Sequence, residues 1–397
     1  MMLMVVDSME RYRFLVRLAN AVRGEYSFLF VTSEPLAHRL LKRAGFRSVY
    51  LRVDRDAPYD PSRSSVLTCQ DAIEVLNGTI SPERAHREGA SIVRAVSRVI
   101  AAERLSRCVM WNGHQLVCRA VAHACAAQEL PTTFVEISNL PDKLFVDPLG
   151  VNALSSIART PSVIDRLPLP DERVHRAWLE RYEAYKARPL PQATTSLTHM
   201  LSSAVNYALK VATSGVARNG VRFIAKRPVS IDATIATSLS ADELARRRYV
   251  FLPLQVSDDT QLRLHSDVGN LEALEIALRY ASHEQADLIV KIHPAERDVS
   301  LVDALLRLQR WHRFAISTSN TVDLIRHACL VVTINSTVGL EAMLYDKRVA
   351  PLGRCFYRSF DAKRLRKYIH SFLVDGVDYF GTGAIPACAA HRILSAD

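Results

Sequence analysis

No stretch of this 397-residue chain approaches the ~20 consecutive apolar residues that a membrane-spanning helix needs. The apolar opening Met1-Met-Leu-Met-Val-Val6 runs into Asp7 and Glu10 instead of a cleavage site, so it reads as a first β-strand and not as a signal peptide. The seven cysteines, Cys69, Cys108, Cys118, Cys125, Cys329, Cys355 and Cys388, are odd in number and show no Cys-x-x-Cys spacing, which disfavours both a zinc site and a disulfide framework. Reduced thiols in a cytoplasmic compartment are expected. Walker A and Gly-x-Gly-x-x-Gly sequences are missing, as are internal repeats and low-complexity tracts. Acidic residues are absent between Glu183 and Asp232.

What is there balances these absences. A formal net charge of +10 calls for an anionic partner. In the stretch without acids, Lys186, Arg188, Lys210, Arg218, Arg222, Lys226 and Arg227 are spread among Leu201, Val205, Leu209, Val216, Phe223 and Ile224. Two readings stay open: an amphipathic basic segment resting on an anionic membrane surface, or a solvated connector with a basic face. No nucleic-acid-binding motif or aromatic platform accompanies the charge, so nucleic acid is not expected as a partner.

With 49% apolar and 23% charged residues, the chain is long enough for two α/β domains. Strand-like and helix-like segments alternate from residue 3 to residue 135, in the rhythm of a Rossmann-like half. The alternation lapses from about 142 to 248 and returns from 249 to 351. The expected division is an N-terminal acceptor-side domain at 1–165, a helical basic inter-domain region at 166–248 and a C-terminal nucleotide-sugar domain at 249–397.

The strongest local signal is Leu330 to Ile334, a short β-branched run followed by Asn335, Ser336, Thr337 and Gly339, after which the pattern turns helical. A helix N-terminus exposes unpaired N–H groups and the positive dipole end, which attract phosphate. Ser336 or Thr337 as a plain N-cap fits less well, because a capping box needs Glu at 339 or 340 and Glu341 is offset. Glycine at 339 in a first helical turn is expected to permit close approach of a ligand, with Glu341 left to accept from sugar hydroxyls. About forty residues earlier, Asp287 to Ile292 is a parallel-type strand with Lys291 and His293 on one face, stopped by Pro294. A structural role for a lone strand-end histidine is the competing reading; two such strand ends together suggest a nucleotide-sugar site.

Four stretches then carry a resemblance: Phe134-Val-Glu136 with Val146-Asp-Pro-Leu-Gly-Val-Asn152, Leu254-Gln-Val-Ser-Asp-Asp-Thr-Gln261, Lys291-Ile-His-Pro294, and Asn335-Ser-Thr-Val-Gly-Leu-Glu341. The chain resembles the bacterial capsule polysaccharide biosynthesis proteins of the KpsC/KpsS type, which are retaining β-Kdo glycosyltransferases. The resemblance implies a GT-B architecture, two Rossmann-like domains facing a cleft, with CMP-β-Kdo as donor. It implies that Asp259, four residues after Gln255, attacks the anomeric carbon and that Glu136 serves as acid/base. The family's Glu-x-Gly is here Glu136-Ile-Ser138. It further implies donor contacts from His293 with its Pro294, and from Ser336, Thr337 and Glu341; Gln255, Lys291, Asn335 and Gly339 complete the expected donor-binding set.

Retention by double displacement independently requires two carboxyl groups, one to bond the sugar and one to manage the acceptor proton. Lys291, Arg297 and Arg354 are candidates for phosphate or sugar-carboxylate contacts. Asn112 and His114, after another strand end, are candidates on the acceptor side, with a simple turn as the competing reading. For Asp259 the competing reading is a turn or cap residue. No cofactor is expected, and without an Asp-x-Asp motif beside a nucleotide-binding strand no metal is expected either. The expected partners are a CMP-sugar donor, a lipid or glycolipid acceptor and capsule export machinery, met peripherally at the cytoplasmic face of the inner membrane. A GT-B enzyme using another nucleotide sugar, either a UDP-sugar transferase or an epimerase, and a non-catalytic glycolipid-binding or export scaffold are the alternatives.

Overall fold

The computed structural model describes residues 1–54, 69–138, 140–186, 197–217, 229 and 236–395; in the helix beginning at 197, side chains are described from residue 204. The chain divides into two compact units, one of Met1–Val221 with Arg366–Asp397 and the other of Arg222–Leu365.

The first unit holds β1 (Met2–Val6), α1 (Met9–Ala21), β2 (Phe28–Thr32), α2 (Pro35–Arg43), β3 (Arg47–Tyr50), α3 (Pro82–Ala102), β4 (Arg107–Trp111), α4 (Leu116–Ala126), β5 (Thr132–Ile137), β6 (Lys143–Asp147), α5 (Glu172–Lys186) and α6 (Leu197–Ala212). Strands β1 and β2 are buried along their whole length, as expected where helices cover both faces of a parallel sheet. Ser8 starts α1 by accepting from the Arg11 amide, and Ser81 starts α3 by accepting from the Arg84 amide.

The second unit holds β7 (Tyr249–Pro253), α7 (Thr260–His265), α8 (Asn270–His283), β8 (Asp287–Lys291), α9 (Val299–Gln309), β9 (Ala315–Ile316), α10 (Thr321–His327), β10 (Leu330–Thr333), α11 (Thr337–Leu344) and β11 (Val349–Pro351). Its sheet is wholly parallel, in the order β11-β10-β7-β8-β9. Side-chain alternation sorts the strands onto two cores. Val250, Leu252, Leu288, Val290 and Val332 pack with α8 and α9, whereas Tyr249, Phe251, Ile289 and Val331 pack with α10 and α11.

The last segment departs from the expected 249–397 domain. The two-residue strand β12 (Val374–Asp375) pairs antiparallel with β6, and α12 (Ala387–Leu394) follows it, so this segment completes the first unit. The first sheet thus runs β12-β6-β5-β4-β1-β2-β3, with β6 antiparallel to β5 and β1 to β5 mutually parallel where they pair.

The basic stretch also differs from expectation where it is described. Lys210 is buried, its ammonium 2.6 Å from the Glu34 carboxylate, which also accepts from Asn206 and from Ser33 Oγ. Asn206 Oδ1 accepts from the Leu36 amide, so α6 docks on the start of α2 and Lys210 is not offered to a membrane. Arg188, Arg218, Arg222, Lys226, Arg227, Phe223, Ile224 and the side chain of Leu201 lie outside the described residues. Among the described residues no helix is long and apolar enough to cross a membrane.

Candidate functional site

In the second sheet β8 and β9 lie to one side of β7, and β10 and β11 to the other. The chain therefore reverses direction of growth between β7 and β10, and the carboxyl ends of strands at such a switch point are where open α/β sheets bind ligands. Gln255 follows β7 and Asn335 follows β10. Gln255 Nε2 donates to Asn335 Oδ1 at 2.9 Å, and the Asn335 amide donates to Gln255 Oε1 at 3.0 Å. Asn335 Nδ2 also donates to the Gln261 carbonyl at 2.9 Å, and Asn270 exchanges two hydrogen bonds with the Gln255 backbone. Both side chains are buried and committed to this network. The direct donor contacts expected of them are replaced by a role in fixing the two loops.

A second clamp was not legible in the sequence. Glu296 is 2% exposed and accepts from the Ser257 amide at 2.9 Å, Ser257 Oγ at 3.0 Å, and the Arg297 and Asp298 amides at 2.7 and 2.9 Å. It ties the loop after β8 to the loop after β7. A glutamate two residues past His293-Pro294 carries no local pattern that distinguishes it from a solvated acid.

Between these clamps Asp259 is the N-cap of α7, its Oδ1 accepting from the Gln261 amide at 2.6 Å. The cap reading is thus realised. Asp259 remains half-buried, and Oδ2 makes no hydrogen bond among the described residues. Its neighbour Asp258 is exposed. His293 is exposed, and its Nδ1 accepts from the Ala295 amide at 3.1 Å, which leaves the proton of the neutral ring on Nε2. Desolvation lowers the imidazole below its ordinary value, opposed by the charges of Asp259 and Glu296. A neutral ring with an exposed N–H can donate to a phosphate oxygen. Lys291 differs from the expected free phosphate contact: its ammonium donates to the Ser319 carbonyl at 2.5 Å, and burial lowers it. Arg354 pairs at the surface with Asp267 at 2.7 Å. Pro294 and Arg297 are exposed.

At the end of β10, Ser336 is the N-cap of α11, with Oγ accepting from the Val338 amide at 3.2 Å. The poor fit expected for this cap is corrected, since a cap needs only one of the first amides and no reciprocal glutamate. Thr337 opens the helix with an exposed side chain. The reason given for Gly339 is corrected too. A Cβ there would meet Tyr357 Oη at 2.6 Å and Thr333 Cγ2 at 2.9 Å, so the glycine makes room for the buried Tyr357, whose hydroxyl donates to the Ser336 carbonyl at 2.5 Å. Glu341 is 6% exposed, inside α11 and not presented at its first turn as expected.

The first unit carries a separate carboxylate cluster. Glu136 stands on β5 with Oε1 accepting from Asn112 Nδ2 at 2.9 Å and Oε2 from Asn152 Nδ2 at 2.7 Å. Two amide donors fill acceptor roles on both oxygens of the carboxylate. Asn152 reaches it from a loop organised by Asp147, which is fully buried and accepts from the Leu149, Gly150 and Ser156 amides and from Ser156 Oγ. Asn152 takes a φ of 51°, a left-handed conformation that asparagine tolerates better than most residues. Asn112 accordingly meets Glu136. His114 is 1% exposed, which corrects its expected contact with an acceptor.

These strand ends define a doubly wound α/β protein, with the candidate residues Gln255, Asp259, Asn335 and Ser336 gathered at a switch point of its second sheet. The chain belongs to the capsule polysaccharide biosynthesis protein family, whose model matches residues 108–360, more than half of the sequence. Capsule polysaccharide export protein KpsS of Escherichia coli is 26% identical over 257 residues, 58% of this chain and 62% of that protein. Capsule polysaccharide modification protein LipB of Neisseria meningitidis serogroup A is 30% identical over 139 residues, 32% of each. The match thus spans about a third of LipB and less than two thirds of KpsS. A solved Thermosulfurimonas dismutans KpsC, beta Kdo 2,7 transferase, superposes with a TM-score of 0.42 at 16% identity, covering 76% of this chain and 88% of that one.

Proposed function

We propose that the chain is a retaining glycosyltransferase with a GT-B architecture that moves a β-Kdo residue from CMP-β-Kdo to a lipid or glycolipid-linker acceptor. The observation that carries this reading is Asp259, an aspartate at the switch point with one carboxylate oxygen held by the α7 amide and the other without a hydrogen bond among the described residues. One oxygen fixes the side chain; the second is the nucleophile. Family membership and the relationship to proteins named for capsule polysaccharide export and modification support the substrate class.

In the first step Asp259 Oδ2 forms a bond to the anomeric carbon, and the C–O bond to phosphate breaks with its electron pair leaving on CMP. The leaving phosphate oxygen needs little protonation. The His293 Nε2–H and the amides opening α11 at Thr337 stabilise the departing charge. In the second step an acceptor hydroxyl attacks the same carbon, its proton passes to Glu136, and Asp259 is released as carboxylate. A lipid-linked acceptor assigns the reaction to the cytoplasmic face of the inner membrane, where the net charge of +10 suits an anionic surface and the export machinery is within reach.

The test is incubation with CMP-Kdo, generated in situ, and either a fluorescent lysophospholipid or its Kdo-primed form, with mass analysis of products. The wild type is expected to add Kdo, and Asp259→Asn to lose about a thousandfold or more of the rate. Asparagine caps helices about as well as aspartate, so folding stability is expected to stay within about 0.5 kcal/mol. Transfer at wild-type rate by Asp259→Asn would remove the nucleophile. Thermal stabilisation by UDP and not by CMP would favour another nucleotide sugar.

A further inference from the structure

The carboxyl ends of the second sheet carry the candidate site; the amino ends carry positive charge. All five strands are parallel, so the segments leading into them meet at one end of the sheet. Those segments, residues 246–248, 283–287, 310–314, 326–329 and 346–348, hold eight Arg or Lys residues against three acids, Glu284, Asp287 and Asp346. Glu284 is already shared by Arg248 at 3.3 Å and Arg348 at 3.0 Å. Arg246, Arg247, Arg310, Arg313 and Arg326 are exposed. Cations suit the C-terminal ends of helices, which accounts for part of the excess.

It does not account for Trp311. This side chain is 85% exposed, more than any other large hydrophobic among the described residues. It stands just past α9 in Arg310-Trp-His-Arg313, four exposed residues between the helix and the buried Phe314. The turn is fixed: the Trp311 amide donates to the Leu308 carbonyl at 3.0 Å, and Gln309 Nε2 donates to the Phe314 carbonyl at 3.1 Å. The side chains of Arg310, Trp311 and Arg313 make no hydrogen bond, ion pair or ring contact among the described residues. A scattered exposed leucine needs no explanation, whereas an indole held in water forgoes one of the largest apolar burials a side chain offers. Indole favours the boundary between water and hydrocarbon, and an arginine on either side of it suits anionic headgroups.

We propose that the amino end of the second sheet rests on an anionic lipid bilayer, with Trp311 inserted at headgroup level and Arg310 and Arg313 paired with lipid phosphates. Contact there leaves the opposite, carboxyl ends of the strands, with Asp259 and His293, uncovered by the bilayer. The surface names the membrane contact of the reading above and rests on that reading for its setting in the cell, whereas binding to vesicles requires no transfer.

The experiment is co-sedimentation of the full chain, without donor or acceptor, with vesicles of phosphatidylglycerol and phosphatidylethanolamine and with vesicles of phosphatidylcholine alone. The other two tryptophans, Trp111 and Trp178, are 6% and 7% exposed, so a blue shift in emission and quenching by brominated lipid report Trp311. The wild type is expected to bind the anionic vesicles with that blue shift, and less as salt rises. Trp311→Ala is expected to weaken binding about tenfold, and Arg310→Gln combined with Arg313→Gln about thirtyfold. All three positions are exposed, so the urea midpoint is expected to stay at its wild-type value. No binding to anionic vesicles, equal binding to phosphatidylcholine, no blue shift, or wild-type binding by either variant would overturn the proposal. Tighter binding of a single-stranded oligonucleotide at the same salt, with Trp311 quenched, would overturn it in favour of a nucleic acid. Because no transfer is read, failure here leaves the glycosyltransferase reading intact, and failure of transfer leaves this result standing.

Discussion

Gln255 and Asn335, eighty residues apart, exchange a side-chain amide hydrogen bond and a backbone-to-side-chain hydrogen bond across the switch point between β7 and β10. Their contribution is to hold the loop that carries Asp259 and the turn that opens α11 in one fixed arrangement. Functional groups on loops need such support, because an unsupported loop loses the geometry its chemistry requires.

Gln255→Leu tests that relationship. It removes the acceptor of the Asn335 amide and the donor to Asn335 Oδ1, both buried, so unfolding free energy is expected to fall by about 2–3 kcal/mol. Urea denaturation reads it as a lower midpoint at unchanged slope. A change below about 0.5 kcal/mol would show the pair to be dispensable.

Gly339→Ala is expected to destabilise by about 1–3 kcal/mol, since the new Cβ collides with Tyr357, which is 1% exposed and has nowhere to move. Tyr357→Phe removes the nearest atom, Oη, at the cost of the hydrogen bond to the Ser336 carbonyl. The double variant should therefore lose less than the sum of the two single losses, by thermal or urea denaturation.

Lys210→Met strands the Glu34 carboxylate in a buried setting with only Ser33 and Asn206 as donors. A loss of about 3–5 kcal/mol is expected, and pairing it with Glu34→Gln should recover much of it. Wild-type stability in Lys210→Met would return this lysine to the membrane-facing role read from the sequence.

Stability should also fall in acid through His370. Burial pushes its imidazole down to about 4, with the charges of His175, Lys143 and Arg181 adding to the effect and Asp375 opposing it. The ring lies 3.1 Å from His175 Nδ1, and Trp178 stacks on His175. Because the folded value lies below the unfolded ~6.5, only the unfolded chain takes up this proton first. The His370 contribution is complete above about pH 6.5, drains away as pH falls towards about 4, and levels off below. After discounting for partial exposure the swing is about 1–2 kcal/mol. Guanidinium midpoints at pH 7, 5.5 and 4.5 should converge in His370→Gln relative to wild type; an unchanged pH slope would exclude His370 as the cause.

The alternation of buried strands and amphipathic helices was legible because it is local. Val250 and Leu252 fall on one face of β7 and Tyr249 and Phe251 on the other from period two alone. Strands β6 and β12 were not legible: β12 has only two residues, and the antiparallel pairing that joins them brings Leu144 to Val374, 230 positions away in the sequence. The residue types at the candidate site were also legible: His293, Asn335 and Ser336 were singled out by strand ends and spacing, and Asp259 by the family resemblance alone. Their partners were not.

The sequence by itself determined the α/β class, the family and the turns that hold the polar residues, since each depends on neighbours within a few positions. Only the tertiary structure decided which of those residues face outward and which are spent on one another. Gln255 is bound to Asn335, Lys210 to Glu34 and Gly339 against Tyr357, while Asp259 Oδ2 has no such partner among the described residues. The reason is that a hydrogen bond or a close contact is set by distance in space, and residues 80, 176 or 18 positions apart acquire that distance only when the strands between them have paired.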